Sequence, residues 1–134
     1  MRKRKLILKI FFWAVGIGIV GYVSLVGFLL LGPSLKSYSA RTSFESVRWR
    51  EHLEDGDHIK LNMVDDLLSR YQLIGMSIAQ VDPLLGKPPK TVYFKDYDYV
   101  YWLGPERSFF SVDSEWLGIK FQNDLVIKVD ILRD

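Results

Sequence analysis

Both histidines of this chain lie in one short acidic segment, and histidines with carboxylates are side chains that can bind a divalent cation. Within segment 51–58, His52 and His58 stand six residues apart among four carboxylates. A helix brings residues three or four apart onto one face, not residues six apart, and the calcium-loop pattern is absent. We therefore expect no metal site, and we interpret the segment as a solvated loop that ends with Asp57 as a helix N-cap.

Two further motifs resemble signatures of enzymes and cofactor sites. Gly75–Ala79 is close to the G-x-S-x-G nucleophile elbow but lacks its final glycine. Gly16–Gly21 fits the dinucleotide pattern G-x-G-x-x-G but lies inside a long apolar run, without the strand and the amphipathic helix that the pattern needs. The remaining acid–base candidates have no spacing that suggests one site: Asp96, Asp98, His52 and His58. We expect a non-catalytic protein without a cofactor.

The charge distribution and the absence of cysteine exclude several classes of protein. Five of the 18 Lys and Arg residues lie in the first nine positions, so 13 remain against all 16 acidic residues, a net charge of −3 after residue 32. A domain of that balance, without a basic stripe, gives no reason to expect nucleic acid as a partner. The chain has no cysteine. This excludes disulfides, thiolate metal sites and lipid attachment to a cysteine.

The chain is organised around 23 consecutive uncharged residues, Ile10–Gly32. A helix of this length crosses a hydrocarbon core of roughly 30 Å. Signal peptides have apolar cores of about 7–15 residues, so we expect an uncleaved anchor. Cleavage after the small-residue pair Ser37 and Ser39 is the alternative. Residues 1–9 form a basic tip that favours a cytoplasmic N-terminus, with the C-terminal part in the periplasm or outside the cell.

Small residues form one face of this membrane helix. They are spaced four, three and three apart: Ala14, Gly18, Gly21 and Ser24. Such a face lets two membrane helices approach closely and would allow self-association. The other interpretation, that glycine is simply common in membrane helices, stays open.

The residues beyond the membrane predict a linker, 33–57, and one small domain, 58–134. Pro33 is expected to end the membrane helix. From His58 apolar residues recur with a helical period, while Lys60, among others, faces away. Ser77 and Gln80 form a capping box at the start of a second short helix. Gly86 supplies the positive φ that ends this helix.

Three apolar, alternating segments complete the domain as a β-meander: Tyr97–Leu103, Leu117–Gln122 and Leu125–Ile131. A three-residue loop, 122–124, keeps the apolar faces of the last two segments in phase, and we prefer it to a two-residue loop. The fold class is therefore α+β: a transmembrane helix, then two short helices packed on a three-stranded antiparallel sheet.

Strand alternation also predicts which side chains face away from the helices. With Tyr97 and the following odd-numbered residues directed at the helices, the outer face of the sheet shows Val100, Trp102, Trp116 and Lys120. Exposed tryptophans with charges nearby are typical of protein interfaces. The alternative is that Phe44 or Trp49 of the linker covers them.

The stretch Leu73–Pro88, L-x-G-M-S-x-x-Q-V-x-x-L-L-G-x-P, resembles the signature of the SmpA/OmlA-like (BamE-like) family of small envelope domains. The segments around Tyr101–Gly104 and Trp116–Phe121 are similar to strands of that family. The resemblance implies a small α+β binding scaffold in the bacterial cell envelope. Family lipoproteins carry an acylated cysteine, whereas this chain keeps a spanning helix, so we expect the inner membrane.

The function expected from these observations is a membrane-tethered module that binds a protein partner, in envelope or membrane-complex assembly. The alternative is an inhibitor or a lipid-sensing domain on the same scaffold, because the resemblance also covers tandem domains of β-lactamase inhibitor proteins.

Reporter fusions test the predicted orientation. Because the basic tip holds the N-terminus inside, alkaline phosphatase fused after Asp134 should be active, and a fluorescent protein fused there should be dark. The reverse pattern would contradict a C-terminal domain outside the cytoplasm. The intact mass should include residues 1–39, and a species that begins at Ala40 would identify a cleaved signal.

Overall fold

A single long helix, α1 (Arg2–Ser39), opens the chain in the computed structural model. The structure describes residues 2–52, 58–107 and 112–134, without the side chains of residues 2–3 and 33–39. Residues Arg4–Gly32 of α1 are long and apolar enough to cross a membrane, and none of this window is buried. A helix satisfies its own backbone hydrogen bonds, which a bilayer requires. The expectation that Pro33 ends the helix is wrong, because proline removes only its own N–H and the next six residues stay helical.

The segment after α1 belongs to the domain core. Helix α2 (Ser46–Glu51) buries Trp49 completely, and Phe44 before it is also buried. The Trp49 ring makes edge contacts with Phe44 and with Tyr101, at centroid distances of 5.7 and 5.9 Å. Ser46 Oγ donates a hydrogen bond of 2.6 Å to the carbonyl oxygen of Leu84. The core therefore begins before residue 58, where the sequence analysis began the domain.

Helix α3 (Ile59–Arg70) has the predicted apolar stripe, with one difference. Met63, Val64 and Leu67 are fully buried. Lys60, expected to face away, is also buried. Its ammonium can be buried because it donates a hydrogen bond to the carbonyl oxygen of His52. The N-cap position is His58, with a φ of 61°, and the N-cap predicted at Asp57 lies outside the described residues.

Helix α4 (Ile78–Leu85) begins and ends as its sequence predicts. Ser77 and Gln80 form the capping box, in which the Ser77 N–H donates to Gln80 Oε1 at 2.9 Å. Gly86 follows the helix with a φ of 72°. Its carbonyl oxygen accepts a hydrogen bond of 2.6 Å from the Tyr101 hydroxyl, which joins α4 to the sheet.

The sheet has three antiparallel strands in the order β1 (Tyr99–Pro105), β2 (Ser114–Gln122) and β3 (Leu125–Arg133). Buried side chains from α2, α3, α4 and the inner face of the sheet form one core. The predicted α+β class is confirmed, and the described residues form three short helices after α1 instead of two. We call the end of the sheet around Pro105, Ser114 and Arg133 the Arg107 end, and the end around Gln122 and Leu125 the turn end.

The predicted loop between β2 and β3 is wrong. Two residues, Asn123 and Asp124, form the turn, and both have positive φ, as a type I′ hairpin turn requires. Gln122 therefore lies opposite Leu125. A bulge at Lys120 and Phe121 then shifts the register by one residue. Beyond it the expected faces are back in phase, with Ile119 opposite Val129 and Leu117 opposite Ile131.

The buried Trp49 gives the first prediction from the structure. Trp49→Ala should lower the free energy of unfolding by about 3–5 kcal/mol, because a large side chain leaves a cavity in the core. Val47→Ala on the same helix is the control: Val47 is 59% exposed, so the change should stay within about 0.5 kcal/mol. Urea unfolding of the full chain in detergent, followed by near-ultraviolet circular dichroism, measures both. Equal midpoints for the two variants would contradict the assignment of Trp49 to the core.

Candidate functional site

The outer face of the sheet carries the four residues predicted to bind a partner. Trp102 of β1 lies opposite Trp116 of β2, and both are half-buried. Val100, expected to be exposed, is buried with 6% of its surface accessible. Lys120 lies opposite Lys128 of β3. The predicted residues thus share one face, but only part of that face is open.

Aromatic residues that precede β1 cover Trp116. The Tyr93 and Phe94 rings lie 5.3 and 6.1 Å from the Trp116 ring. The Trp116 Nε1 atom is buried and has no hydrogen-bond partner among the described residues. The cover is thus residues 93–97, whereas Phe44 and Trp49, the cover considered from the sequence, lie in the core on the other side of the sheet.

Tyr97 completes this cover, in contrast to the expectation that it faces the helices. Its hydroxyl donates to Asp130 Oδ2 at 2.7 Å and accepts from Lys128 Nζ at 2.9 Å. These bonds, with the Lys128–Asp130 ion pair, lower the pKa of Asp130 and raise that of Lys128. A Cβ atom on Gly118 would lie 2.7 Å from the Tyr97 ring and 2.6 Å from Leu132. Only glycine at position 118 leaves room for the Tyr97 ring.

The turn end of the outer face is open. Leu125 and Ile127 are 46% and 45% exposed, because the two-residue turn and the bulge turn them away from the core and bury Val126 instead. Ile74, 49% exposed, precedes Gly75, which is hydrogen-bonded to β3. The Gly75 N–H donates to the Val126 carbonyl oxygen at 2.8 Å, and the Val126 N–H donates to Met76. We call Ile74, Leu125, Ile127 and the adjacent Lys120 the turn-end patch.

The turn-end patch contains an unmatched positive charge. Lys120 and Lys128 lie directly opposite each other, an arrangement of like charges that is unfavourable in a sheet. Lys128 is neutralised by Asp130, 3.0 Å away. Within the part of the chain that the structure describes, no carboxylate pairs with Lys120. The patch therefore combines exposed aliphatic side chains with a free ammonium group.

A network of ion pairs occupies the Arg107 end. Glu115, with none of its surface exposed, accepts from the Arg107 backbone N–H at 2.9 Å and from its guanidinium at 2.8 Å. Arg107 also reaches Asp65 of α3 at 2.9 Å, and Arg41 binds the same oxygen. Arg133 pairs with Glu106 at 3.0 Å and approaches Glu115.

Glu115 and Arg107 both stay ionised, although the Glu115 side chain is fully buried. Desolvation favours the neutral carboxyl, but the hydrogen bonds and charge of Arg107 outweigh it and lower the pKa of Glu115. Desolvation also opposes the charge of Arg107, yet its carboxylate partners raise the pKa of the guanidinium. Glu115 was not among the residues predicted from the sequence. Strand alternation could have identified it, because residues 117, 119 and 121 of the same strand are predicted to point inward and position 115 continues that series.

Two of the residues considered for catalysis, Ser77 and Asp98, have structural roles. Ser77 caps α4, and Asp98 Oδ2 accepts the backbone N–H of Phe121 at 2.7 Å. Burial and a hydrogen bond to Asp82 raise the pKa of Tyr99 to about 12, which keeps it a donor. No group of three metal-ligating side chains occurs among the described residues. Positions 53–57 of the acidic segment lie outside them.

The small residues of α1 lie along an exposed helix. Nothing lies within 4 Å of a Cβ atom built on Gly18 or Gly21, and the other two members of that face, Ala14 and Ser24, are exposed as well.

Comparisons with known proteins identify no relative of this chain: no family model, no curated protein sequence and no solved structure matches it.

The ion-pair network predicts how stability depends on pH. The pKa of Glu115 is below its ordinary value of 4.5 in the folded chain, so its charge stabilises the fold fully above about pH 4.5, and this contribution is lost as the pH falls through the folded pKa. Glu115→Gln should cost about 1–3 kcal/mol at pH 7, because it removes the buried carboxylate partner of the half-buried Arg107, while the ion pair of Arg107 with Asp65 remains.

Below about pH 4.5 the difference between parent and variant should shrink, because a protonated glutamate resembles glutamine. Unfolding in urea between pH 7 and pH 3 measures this difference. A difference that stays constant over the acid range would contradict the role assigned to the Glu115 charge.

Proposed function

We propose that this chain is a membrane-tethered, non-catalytic module of the bacterial cell envelope, anchored in the inner membrane by α1, with its N-terminus in the cytoplasm and its domain outside. Its task is to bind a protein partner through the turn-end patch. The resemblance of Leu73–Pro88 to the SmpA/OmlA-like signature supports an envelope scaffold, and the basic tip supports the orientation.

The observation that carries this proposal is the turn-end patch. Three large aliphatic residues, each almost half exposed, lie on the two hydrogen-bonded segments where β3 is joined to the stretch before α4. Clustered exposed apolar side chains beside polar ones are typical of interaction sites. On the same face Trp116 is covered by Tyr93 and Phe94, so we place the binding surface at the turn end rather than at the tryptophans.

The unpaired Lys120 specifies the chemistry of the partner. A partner segment that places apolar side chains on Ile127 and Leu125 and a carboxylate on Lys120 would relieve the like-charge arrangement with Lys128. The exposed edge of β3 beyond Ile127 is compatible with a partner that adds a strand. We therefore propose as occupant an apolar polypeptide segment with an acidic residue, from another envelope protein.

Photo-crosslinking with a matched control tests this proposal. A photoreactive phenylalanine analogue at Ile127 of the full chain in native membranes should crosslink one defined protein. The same analogue at Val47, which is 59% exposed on α2, should not. The purified partner should then bind the full chain in detergent.

Charge variants identify the contact. Lys120→Glu should weaken binding of the purified partner roughly tenfold, because it places a carboxylate against a carboxylate, whereas Lys120→Arg should keep most of the affinity. An unfolding midpoint equal to that of the parent shows that the fold is intact. The proposal is overturned if Ile127 and Val47 give the same crosslinks, or if Lys120→Glu binds like the parent.

A further inference from the structure

One end of the domain is tied directly to the membrane helix. Arg41 follows the last residue of α1, Ser39, by two positions, and its Nε lies 2.9 Å from Asp65 Oδ2. The same carboxylate oxygen lies 2.9 Å from Arg107 Nη1. The Arg107 end of the sheet is therefore the end that lies next to the tether.

The length of α1 determines the height of this end above the bilayer. The apolar span ends at Gly32, and the helix continues for seven residues to Ser39. At 1.5 Å per residue, this extension rises about 10 Å. The headgroup layer on each side of the hydrocarbon core is about 5–8 Å thick. The Arg107 end thus lies close to the headgroups, while the turn end, eight residues along β2, lies about 26 Å farther along the strand.

Apolar side chains are exposed at this membrane-proximal end. Val112 and Val92 are 85% and 77% exposed, the highest values among the domain's large apolar residues that the structure describes, and Tyr93 is 48% exposed. Val112 precedes Asp113, whose carbonyl oxygen accepts the Glu106 N–H at 2.8 Å. Tyr93 packs on Trp116, the residue next to Glu115. Tyrosine, with its apolar ring and polar tip, is enriched at membrane–water interfaces.

The charges of the ion-pair network do not favour anionic lipids in particular. The three arginines of the network are balanced by its three carboxylates: Arg41, Arg107 and Arg133 against Asp65, Glu106 and Glu115. Two further acidic residues, Asp113 and Asp134, lie here, and the Asp134 side chain accepts the Ser114 N–H. A lipid contact at this end would therefore rest on apolar and aromatic side chains rather than on a basic patch.

We propose that the Arg107 end of the domain rests on the surface of the bilayer that α1 crosses, with Val112, Val92 and Tyr93 in contact with the headgroup layer. The strands of the sheet then run away from the membrane surface, and the turn end is not in contact with the bilayer. This inference rests on the proposed membrane anchor, but it uses different residues from the proposed protein contact and does not depend on that contact.

The absence of cysteine allows the contact to be measured with single labels on the full chain. Three variants carry one fluorophore each: Val112→Cys at the proposed contact, Gln122→Cys at the turn end, and Ala40→Cys beside the tether. All three positions are exposed. The chains are reconstituted in phosphatidylcholine nanodiscs, some of which contain lipids with a nitroxide quencher on the headgroup.

Labels at positions 112 and 40 should be quenched several-fold more strongly than the label at 122, because nitroxides quench only at short range. Equal, weak quenching at 112 and 122 with strong quenching at 40 would overturn the proposal. Weak quenching at all three positions would also overturn it, since it would place the end of the tether away from the headgroups.

Two further comparisons identify the chemistry of the contact. In the Val112→Cys background, Tyr93→Ser together with Val92→Ser should reduce quenching roughly twofold, because the apolar contact is lost. Replacing part of the phosphatidylcholine with phosphatidylglycerol should not increase quenching, because acidic residues lie at this end. A strong increase would assign the contact to basic residues and contradict the apolar account.

Discussion

The burial of Trp49 is the interaction on which the arrangement of the whole chain depends. Its ring lies between Phe44, which follows the membrane helix, and Tyr101 in the sheet. The Phe44 backbone is held in turn by α3, because its N–H donates to Asp66 and its carbonyl oxygen accepts from Arg70. The short connection from Ser39 to Phe44 is therefore part of the fold rather than a flexible linker.

The buried charges at the Arg107 end have a different role from the apolar core. A buried ion pair contributes little net stability, because desolvation opposes the attraction, but breaking it is costly. Here one guanidinium joins α3 through Asp65 to β2 through Glu115. A sheet shifted by one residue would leave Glu115 without its partners. The network thus fixes the register of β2 against α3, and it does so next to the end of α1.

The three strands and the ends of α4 could be predicted from the sequence, whereas the burial of side chains on the outer face of the sheet could not. The capping box at Ser77 and the positive φ at Gly86 could be predicted because each depends on neighbouring residues alone. The β2–β3 loop could not be derived from alternation, because the preference of Asn123 and Asp124 for a tight turn prevails and a bulge corrects the phase afterwards. The cover over Trp116 depends on residues 93–97 folding back across the sheet. Strand periodicity contains no information about such a cover.

The contact between Tyr97 and Gly118 has a consequence for recognising relatives of this chain. The ring fits over the sheet only because position 118 has no side chain, so a larger residue at 118 and a tyrosine at 97 are incompatible in this packing. In related sequences the two positions should change together, along with the acidic residue at 130 that binds the tyrosine hydroxyl. A glycine in the middle strand, an aromatic residue 21 positions before it and an acid 12 positions after it form a covariation signature of this cover that is independent of the membrane helix.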